Sequence, residues 1–395
     1  MNSCTRREFL RYTLGAAAGA AFMPQIGCRA SDTVHEGVIG VPEKGYPLVE
    51  ASGSHRDIGR TIGAAMKEQI LGLLDLSPDY AQSVAYANGN GRGTVRKMLD
   101  HTQAHFPQLI EELEGMAESL GVPFASLFAF NCRSEIDVLT SPPGCSTIAL
   151  REEGRMILVH NEDGGDVNIG RMFLAKVTPP SGVSFLVYVY PGLLPGNGPG
   201  FNQFGIVQTT NYIQPLAVAD GVPRYILARA VLESKSLDDA LAIATMTPRA
   251  FSWHYNLASL VEGRVLSVET IAHPEPKHDI LEVEGVYIHT NHLLHPGMTS
   301  ADDTSPPPYD VPYISSTTRM DVLTEAVEKR GRPANVEEIM SLLSLHKGRP
   351  YSPCRHPKGD VRGSTLGTAV FQAPSIGMTL YHGNPCRGLK KEYVI

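Results

Sequence analysis

Residues 141–160 of the chain read SPPGCSTIALREEGRMILVH. Two apolar runs, 145–150 and 155–160, are joined by the polar turn Glu152-Glu153-Gly154. Apolar runs of this length around a glycine-containing turn predict a β-hairpin. The prolines and glycine that precede the first run are typical of a loop. Cys145 is therefore expected where a loop becomes the first strand of the hairpin.

A cysteine placed directly after a glycine can attack the carbonyl group that precedes it. Gly144 has no side chain to block the approach and tolerates the distorted backbone that the attack requires. Hydrolysis of the resulting thioester would free the α-amino group of Cys145, whose ordinary pKa of about 7.7 to 8 suits it to accept the thiol proton. Nucleophile and base would then share one residue. A buried structural cysteine is the alternative interpretation.

Helices and strands alternate along the rest of the chain. Ser54 is a candidate N-cap for a helix that reaches residue 74, and Pro107 begins a second helix that Gly121 ends. Asn335, with Glu338 three residues later, forms a capping-box pattern at the start of a third. Further helices are expected at residues 237–244 and 318–328, and strands at 183–190, 205–209 and 265–269.

Several common catalytic patterns do not occur in the sequence: the G-x-S-x-G elbow, the Walker loop, H-E-x-x-H and paired C-x-x-C. The histidines and cysteines of the C-terminal half repeat no known zinc spacing; they are His289, His292, Cys354, His356, His382 and Cys386. We therefore predict no metal and no cofactor. Cys354 and Cys386 are the better placed pair for a disulfide, which the sequence leaves open.

Short motifs in a fixed order give the chain a family resemblance. They are Gly53-x-x-x-x-x-Gly59, residues 112–121, Asn131-x-Arg133-x-Glu135, Gly144-Cys145, Asn161-x-Asp163, Asn202-x-x-Gly205, His289-Thr290-Asn291-His292, Ser316-x-x-Arg319, Cys354-Arg355-His356 and Gly383-Asn384-Pro385. Each motif alone is common, but their order and spacing together are specific. The chain resembles the acyl-coenzyme A:6-aminopenicillanic acid acyltransferase family of N-terminal nucleophile hydrolases.

The resemblance implies an α+β fold, a four-layer α/β/β/α sandwich with two antiparallel sheets stacked between helical layers. It also implies self-cleavage between Gly144 and Cys145. The products would be an α chain to residue 144 and a β chain of residues 145–395, which stay associated in one domain, 31–395. Asp163 would orient the new amine of Cys145, and Asn256 would donate a hydrogen bond to the oxyanion.

Three charged residues are candidate substrate contacts. Arg319, in a motif that matches the family, would hold a substrate carboxylate or steady the site electrostatically. Arg133 and Glu135 could pair near the cleavage loop, although surface ion pairs explain such residues equally well. The family commonly has threonine in place of Ser146 and glutamine in place of His160, which leaves the substrate open.

The first thirty residues predict a twin-arginine export signal. Arg6-Arg7 precedes an apolar stretch at residues 14–23, which is too short to span a hydrocarbon core of about 30 Å. Cleavage could follow Ala30, or a lipid anchor could be attached at Cys28. The 395 residues carry a formal net charge of −7, and we find no basic stripe, so we predict no nucleic-acid partner.

The predicted function is hydrolysis of a small linear amide or acyl-amino compound, or transfer of its acyl group, through a thioester on Cys145. The protein is expected to act outside the cytoplasm. Its expected partners are the small-molecule substrate and the two chains of the processed protein. Two alternatives remain open. One is an exported binding protein with the same fold and an uncut chain; the other is a cysteine peptidase with a separate base such as His292.

Overall fold

The hairpin predicted at Cys145 is present in the computed structural model, which describes residues 45–136, 144–152, 154–214, 217–273, 275–299, 311–358 and 361–395. Its strands are β2 (Gly144–Glu152) and β3 (Arg155–Gly165), and they pair antiparallel. The register sets Gly144 opposite Asp163 and Cys145 opposite Glu162. Side chains alternate between the two faces of a strand, so the nucleophile candidate shares a face with Glu162.

Among the described residues, the strands form two sheets. The smaller has the order β11-β2-β3-β12-β13-β14, with β11 (Gly285–His289), β12 (Gly363–Gln372), β13 (Met378–His382) and β14 (Lys390–Tyr393). The larger runs in the order β1, β4, β5, β6, β7, β8, β9, β10. These strands are β1 (Leu48–Ser52), β4 (Phe173–Thr178), β5 (Phe185–Val189), β6 (Gly200–Asn202), β7 (Ile206–Tyr212), β8 (Trp253–Ser259), β9 (Arg264–Ile271) and β10 (Lys277–Glu282).

Helices alternate with groups of strands along the chain. Within the described ranges they are α1 (His55–Ala65), α2 (Lys67–Leu76), α3 (Pro78–Asn88), α4 (Arg92–His105), α5 (Pro107–Leu120), α6 (Phe124–Asn131), α7 (Arg224–Val231), α8 (Leu237–Ala244), α9 (Val311–Arg330) and α10 (Val336–Leu343). Gly121 ends α5 at a φ of 77°, and Asn335 accepts from the backbone amide of Glu338 at 2.9 Å. Both helix ends are as predicted.

The helix predicted from Ser54 to residue 74 is two helices. Ser54 caps α1 by accepting from the backbone amide of Asp57 at 3.2 Å, but the helix ends before Met66. α1 packs so closely on α5 that a Cβ on Gly59 would lie 1.8 Å from the carbonyl oxygen of Glu112. The chain then begins α2, which buries Ile70, Leu73 and Leu74.

The two sheets lie face to face between layers of helices. Alternate residues of β2 and β3, such as Ile148 and Val159, pack against Leu323 of α9 and Ile339 of α10. α7 and α8 cover part of the larger sheet, and Ala149 joins the core cluster shared by the two sheets. The predicted α+β, four-layer α/β/β/α sandwich is confirmed. One detail of the sheets differs, because β1 and β4 pair parallel.

Several sequence predictions fall outside the described residues or stay untested. The export signal, the lipid anchor at Cys28 and most of the loop before Gly144 belong to ranges that the structure does not describe. The single-domain assignment of residues 31–395 stays a prediction. None of the described helices combines the length and the apolar character that a membrane crossing needs.

Candidate active site around Cys145

Cys145 is the second residue of β2, and only 3% of its surface is exposed. Its backbone amide donates to Asn291 Oδ1 at 2.8 Å. The guanidinium of Arg319 donates to the carbonyl oxygen of Cys145, to Ser146 Oγ at 3.0 Å and to Asn291 Oδ1 at 2.6 Å. These contacts fix the backbone on both sides of the nucleophile candidate.

The thiol of Cys145 faces the carboxyl group of Glu162, with Sγ 3.8 Å from Oε1. Glu162 is held by two further groups: Tyr190 OH donates to Oε1 at 2.6 Å, and His160 Nε2 lies 3.2 Å from Oε2. Burial raises the pKa of the thiol well above its usual value, and the carboxylates of Glu162 and Asp163 raise it further. The thiol of the uncut chain is therefore protonated at neutral pH and needs a base before it can attack.

A side chain on Gly144 would require the guanidinium group of Arg355 to move. A Cβ on this residue would lie 2.5 Å from Arg355 Nη1 and 3.3 Å from Arg319 Nη2. The first distance is shorter than real Cβ contacts allow. Two guanidinium groups thus lie against the residue whose carbonyl the thiol would attack, where positive charge can stabilise a developing oxyanion.

Asp163 lies opposite Gly144 in the hairpin register. Its Oδ1 accepts from Thr365 Oγ1 at 2.7 Å, and its Oδ2 lies 3.9 Å from Arg355 Nη1. Burial raises the pKa of this carboxyl to about 6, although the charges of Arg355 and Arg319 act to lower it. The structure therefore brings Asp163, Gly144 and Cys145 together, and the predicted role of Asp163 toward the amine remains a prediction.

Asn256 contacts Thr147, two residues after Cys145 on β2. Its Nδ2 donates to Thr147 Oγ1 at 3.2 Å, Thr209 Oγ1 at 3.0 Å and Asn211 Oδ1 at 3.0 Å. The amide group that was predicted to donate to the oxyanion thus donates to these oxygens in the structure. The oxyanion role of Asn256 stays a prediction. Asn291, which the sequence analysis placed in a motif without a role, is the asparagine in direct contact with Cys145.

Cys145 and Glu162 are among the residues that line an open cleft. Its wall includes the aromatic side chains Tyr190, Tyr212, Tyr225 and Trp253 and the cations Arg133 and Arg224. Arg224 lies over the indole ring of Trp253 at 3.5 Å. Its Nε and Nη1 are buried without a hydrogen-bond partner. A buried cation with unused donors is a natural contact for an oxygen of a bound ligand.

Arg133 and Glu135 have separate partners, so the ion pair considered from the sequence is not their main contact. Arg133 lines the cleft, stacks 4.8 Å from the ring of Tyr225 and lies 4.0 Å from Asp79. Glu135 accepts from the backbone amide of Arg224 at 2.7 Å, at the start of α7. Burial raises the pKa of the Glu135 carboxyl. Arg133 can meet a substrate directly, whereas Glu135 supports the wall behind it.

His292 points to Ser316, whose Oγ lies 2.7 Å from its Nδ1. Burial, with the charges of His289 and Arg319, lowers the pKa of His292 to about 4. The histidine linked to the thiol is instead His160, through Glu162. A peptidase that uses His292 as its base gains no support from this arrangement.

A profile of the acyl-coenzyme A:6-aminopenicillanic acid acyl-transferase family matches residues 150–387. The chain belongs to this family. The match begins after Cys145, so the assignment of the nucleophile rests on the local geometry. Members of the family and the relatives described next indicate an amide hydrolase or acyltransferase of the N-terminal nucleophile type.

Among characterised proteins, the chain is 24% identical over 370 residues to a beta-alanyl-dopamine/carcinine hydrolase of Drosophila melanogaster, an alignment that covers 86% of this chain and 93% of that protein. Two solved structures give weaker matches. An N-acylethanolamine-hydrolyzing acid amidase ortholog of Caenorhabditis elegans has 12% identity and a TM-score of 0.39, over 57% of this chain and 92% of that one. Penicillin V acylase from Agrobacterium tumefaciens has 13% identity and a TM-score of 0.36, over 60% and 82%.

Proposed function

We propose that the protein is an exported, self-processing amide hydrolase in which Cys145 is the nucleophile, and that an amine can replace water as the acyl acceptor. The observation that carries the proposal is the placement of Cys145. It lines the aromatic cleft and follows a glycine whose hydrogen faces two guanidinium groups, and its thiol faces Glu162. An ordinary buried cysteine would require none of these neighbours.

Self-cleavage would begin with attack of the Cys145 thiol on the carbonyl carbon of Gly144. The C–S bond of a thioester forms, the C–N bond to Cys145 breaks, and the thiol proton ends on the released α-amino nitrogen. Glu162 can carry that proton, because its Oε1 lies 3.8 Å from Sγ. Water then hydrolyses the thioester, which leaves a carboxylate on Gly144 and a free thiol and amine on Cys145.

The same chemistry would serve a substrate amide. The α-amino group takes the thiol proton, the thiolate attacks the substrate carbonyl, and the leaving amine departs with a proton. The acyl group stays on Sγ until water or a second amine accepts it. Asn291 Oδ1 already accepts from the nitrogen of Cys145, so it would orient the free amine after cleavage.

The residues that line the cleft suit the chemistry of a small linear amide with a flat aromatic part. Its tyrosines and Trp253 offer ring faces, while Arg133 and Arg224 offer donors and cationic faces. The fly relative is named as a hydrolase of beta-alanyl-dopamine and carcinine. We infer a related class for this protein, amides of alkylamines that carry an aromatic ring, with Arg224 donating to a polar oxygen of the substrate.

The test is release of amine from a panel of amides. The panel contains penicillins, N-acyl amino acids, and β-alanyl and fatty-acyl amides of alkylamines that carry an aromatic ring. The protein is acid-quenched during turnover, digested and searched by mass spectrometry for an acyl group. We expect it on the N-terminal cysteine of the β chain. Cys132→Ser is the matched control, because Cys132 is also a buried free thiol. Turnover that survives Cys145→Ala, or an acyl group on another residue, would overturn the proposal.

Export rests on the first thirty residues and is tested separately. We expect replacement of Arg6 and Arg7 by lysine, which preserves the charge, to retain the protein in the cytoplasm. Fractionation of cells that make the wild type and the lysine variant measures this directly. Equal export of both would contradict a twin-arginine route.

An uncut chain that binds amides without turnover would support the binding-protein alternative.

A further inference from the structure

Four potential metal ligands converge at the edge of the smaller sheet, away from Cys145 in the sequence. They are His346, Cys354, His356 and Cys386, called here the Cys-His cluster. His346 follows the end of α10, Cys354 and His356 lie in the loop that leads to β12, and Cys386 lies between β13 and β14. One ligand atom from each residue lies within 4.8 Å of all the others.

The three distances from His356 Nε2 to the other ligand atoms match edges of a tetrahedron around a zinc ion. Bonds of about 2.3 Å to sulfur and about 2.05 Å to nitrogen place S and N ligand atoms roughly 3.6 Å apart and two N atoms roughly 3.3 Å apart. In the cluster, His356 Nε2 lies 3.5 Å from Cys354 Sγ, 3.6 Å from Cys386 Sγ and 3.2 Å from His346 Nε2.

Hydrogen bonds do not account for this arrangement. Three heteroatoms surround the single Nε2 of His356, which offers either one proton or one lone pair. Cys354 and Cys386 are free thiols, so the disulfide left open from the sequence is not formed. A cation at the centre would satisfy all four side chains at once.

The surroundings also suit a bound ion. Cys354 is fully buried, while Cys386 is exposed, which gives an ion a path to the site. Asn384 Nδ2 lies 3.6 Å from Cys354 Sγ and donates to the carbonyl oxygen of Arg355 at 2.5 Å. Such outer contacts typically hold metal ligands in place.

We propose that the Cys-His cluster binds one structural zinc ion with all four side chains. Two cysteines and two histidines complete a tetrahedral shell and leave no position for a substrate, so the ion would be structural. The ligands Cys354 and His356 flank Arg355, whose guanidinium lies beside Asp163 and Gly144. Zinc would therefore hold the loop that supplies this arginine to the cleavage site.

The test measures zinc in the full-length Cys145→Ala chain, made in zinc-containing medium and desalted without chelator. Zinc content is measured per chain whether or not the chain is cut or active, so the result does not depend on the proposed function. It also removes the thiol from Cys145, His160 and Glu162, another close group of potential ligands among the described residues. We expect about one zinc ion per chain. After cobalt replaces the zinc, we expect the absorption bands of a tetrahedral cobalt ion with thiolate ligands.

Cys386→Ser and His346→Gln should each lose most of the zinc and lower the melting temperature. Cys386 is exposed, so its variant remains informative if the histidine variant fails to fold. His105→Gln, an exposed histidine on α4, is the matched control and should retain the ion. Zinc content in the parent no higher than in Cys386→Ser would overturn the proposal. A disulfide between Cys354 and Cys386 in zinc-supplied protein would overturn it as well.

Discussion

Asp163→Asn should change how the stability of the protein depends on pH. The buried carboxyl has a pKa of about 6, against an ordinary value of 3.8. Between these two values the folded chain holds a proton that the unfolded chain has released. Raising the pH therefore opposes folding of the wild type over this window. The stability contributed by this group is fully present below pH 3.8 and is lost as the pH rises through 6.

The magnitude follows from the shift of about two pKa units. At 1.36 kcal/mol per unit, the wild type should lose about 3 kcal/mol of unfolding free energy across the window. Asparagine does not titrate and escapes this loss. The variant also loses or weakens the hydrogen bond from Thr365 and the contact with Arg355, but those losses shift its curve by a constant. Because part of this loss already occurs below pH 4, the difference between variant and parent should grow by about 2 kcal/mol from pH 4 to pH 7 in the variant's favour.

Urea unfolding at several pH values measures this difference, with Cys145→Ala as the common background so that the chain stays whole. Asp100→Asn, which removes an exposed carboxylate on α4, shows what the loss of one surface charge does to the same curve. A difference between Asp163→Asn and its parent that stays flat from pH 4 to pH 7 would refute the reasoning. A difference that grows in favour of the parent would do the same.

Three further substitutions test the site. Gly144→Ala should leave the chain largely uncut, because its Cβ would meet Arg355 Nη1. A time course of chain cleavage on denaturing gels measures this. Gly93→Ala is the control, because a Cβ on Gly93 meets nothing within 4 Å. Glu162→Gln should slow self-cleavage by about a hundredfold, the usual effect of losing a proton carrier, and unchanged cleavage by the same time course would contradict its role. Arg224→Leu should raise KM about tenfold with kcat little changed, in steady-state kinetics on protein whose melting curve shows that it is folded.

Local signals predicted the elements around the site well. The hairpin follows from two apolar runs and one turn, and the capping pattern of Asn335 and Glu338 fixes the start of α10. These features depend on residues only a few positions apart, so sequence spacing is sufficient. The four layers came from the family resemblance and not from periodicity. The break of the first helix at Met66 has no glycine or proline to signal it in residues 64–68.

Sequence reasoning missed three features of the site and its surroundings: Glu162, Asn291 and the Cys-His cluster. Glu162 lies between the motif residues Asn161 and Asp163 and was given no role. Counting residue pairs outward from the hairpin turn would have placed it opposite Cys145. No such count reaches Asn291, which lies 146 residues from Cys145. The Cys-His cluster was missed because its ligands come from two connections, α10 to β12 and β13 to β14, and their spacing matches no known zinc motif.

The most direct test of the central claim is the intact mass and N-terminal sequence of the purified wild-type chain beside Cys145→Ala. The account predicts that the wild type separates under denaturing conditions into two chains. One should end at Gly144 and the other begin with Cys145, while the variant stays whole. A folded wild-type chain that remains uncut, or that is cut elsewhere to the same extent as the variant, would contradict a nucleophile that supplies its own base.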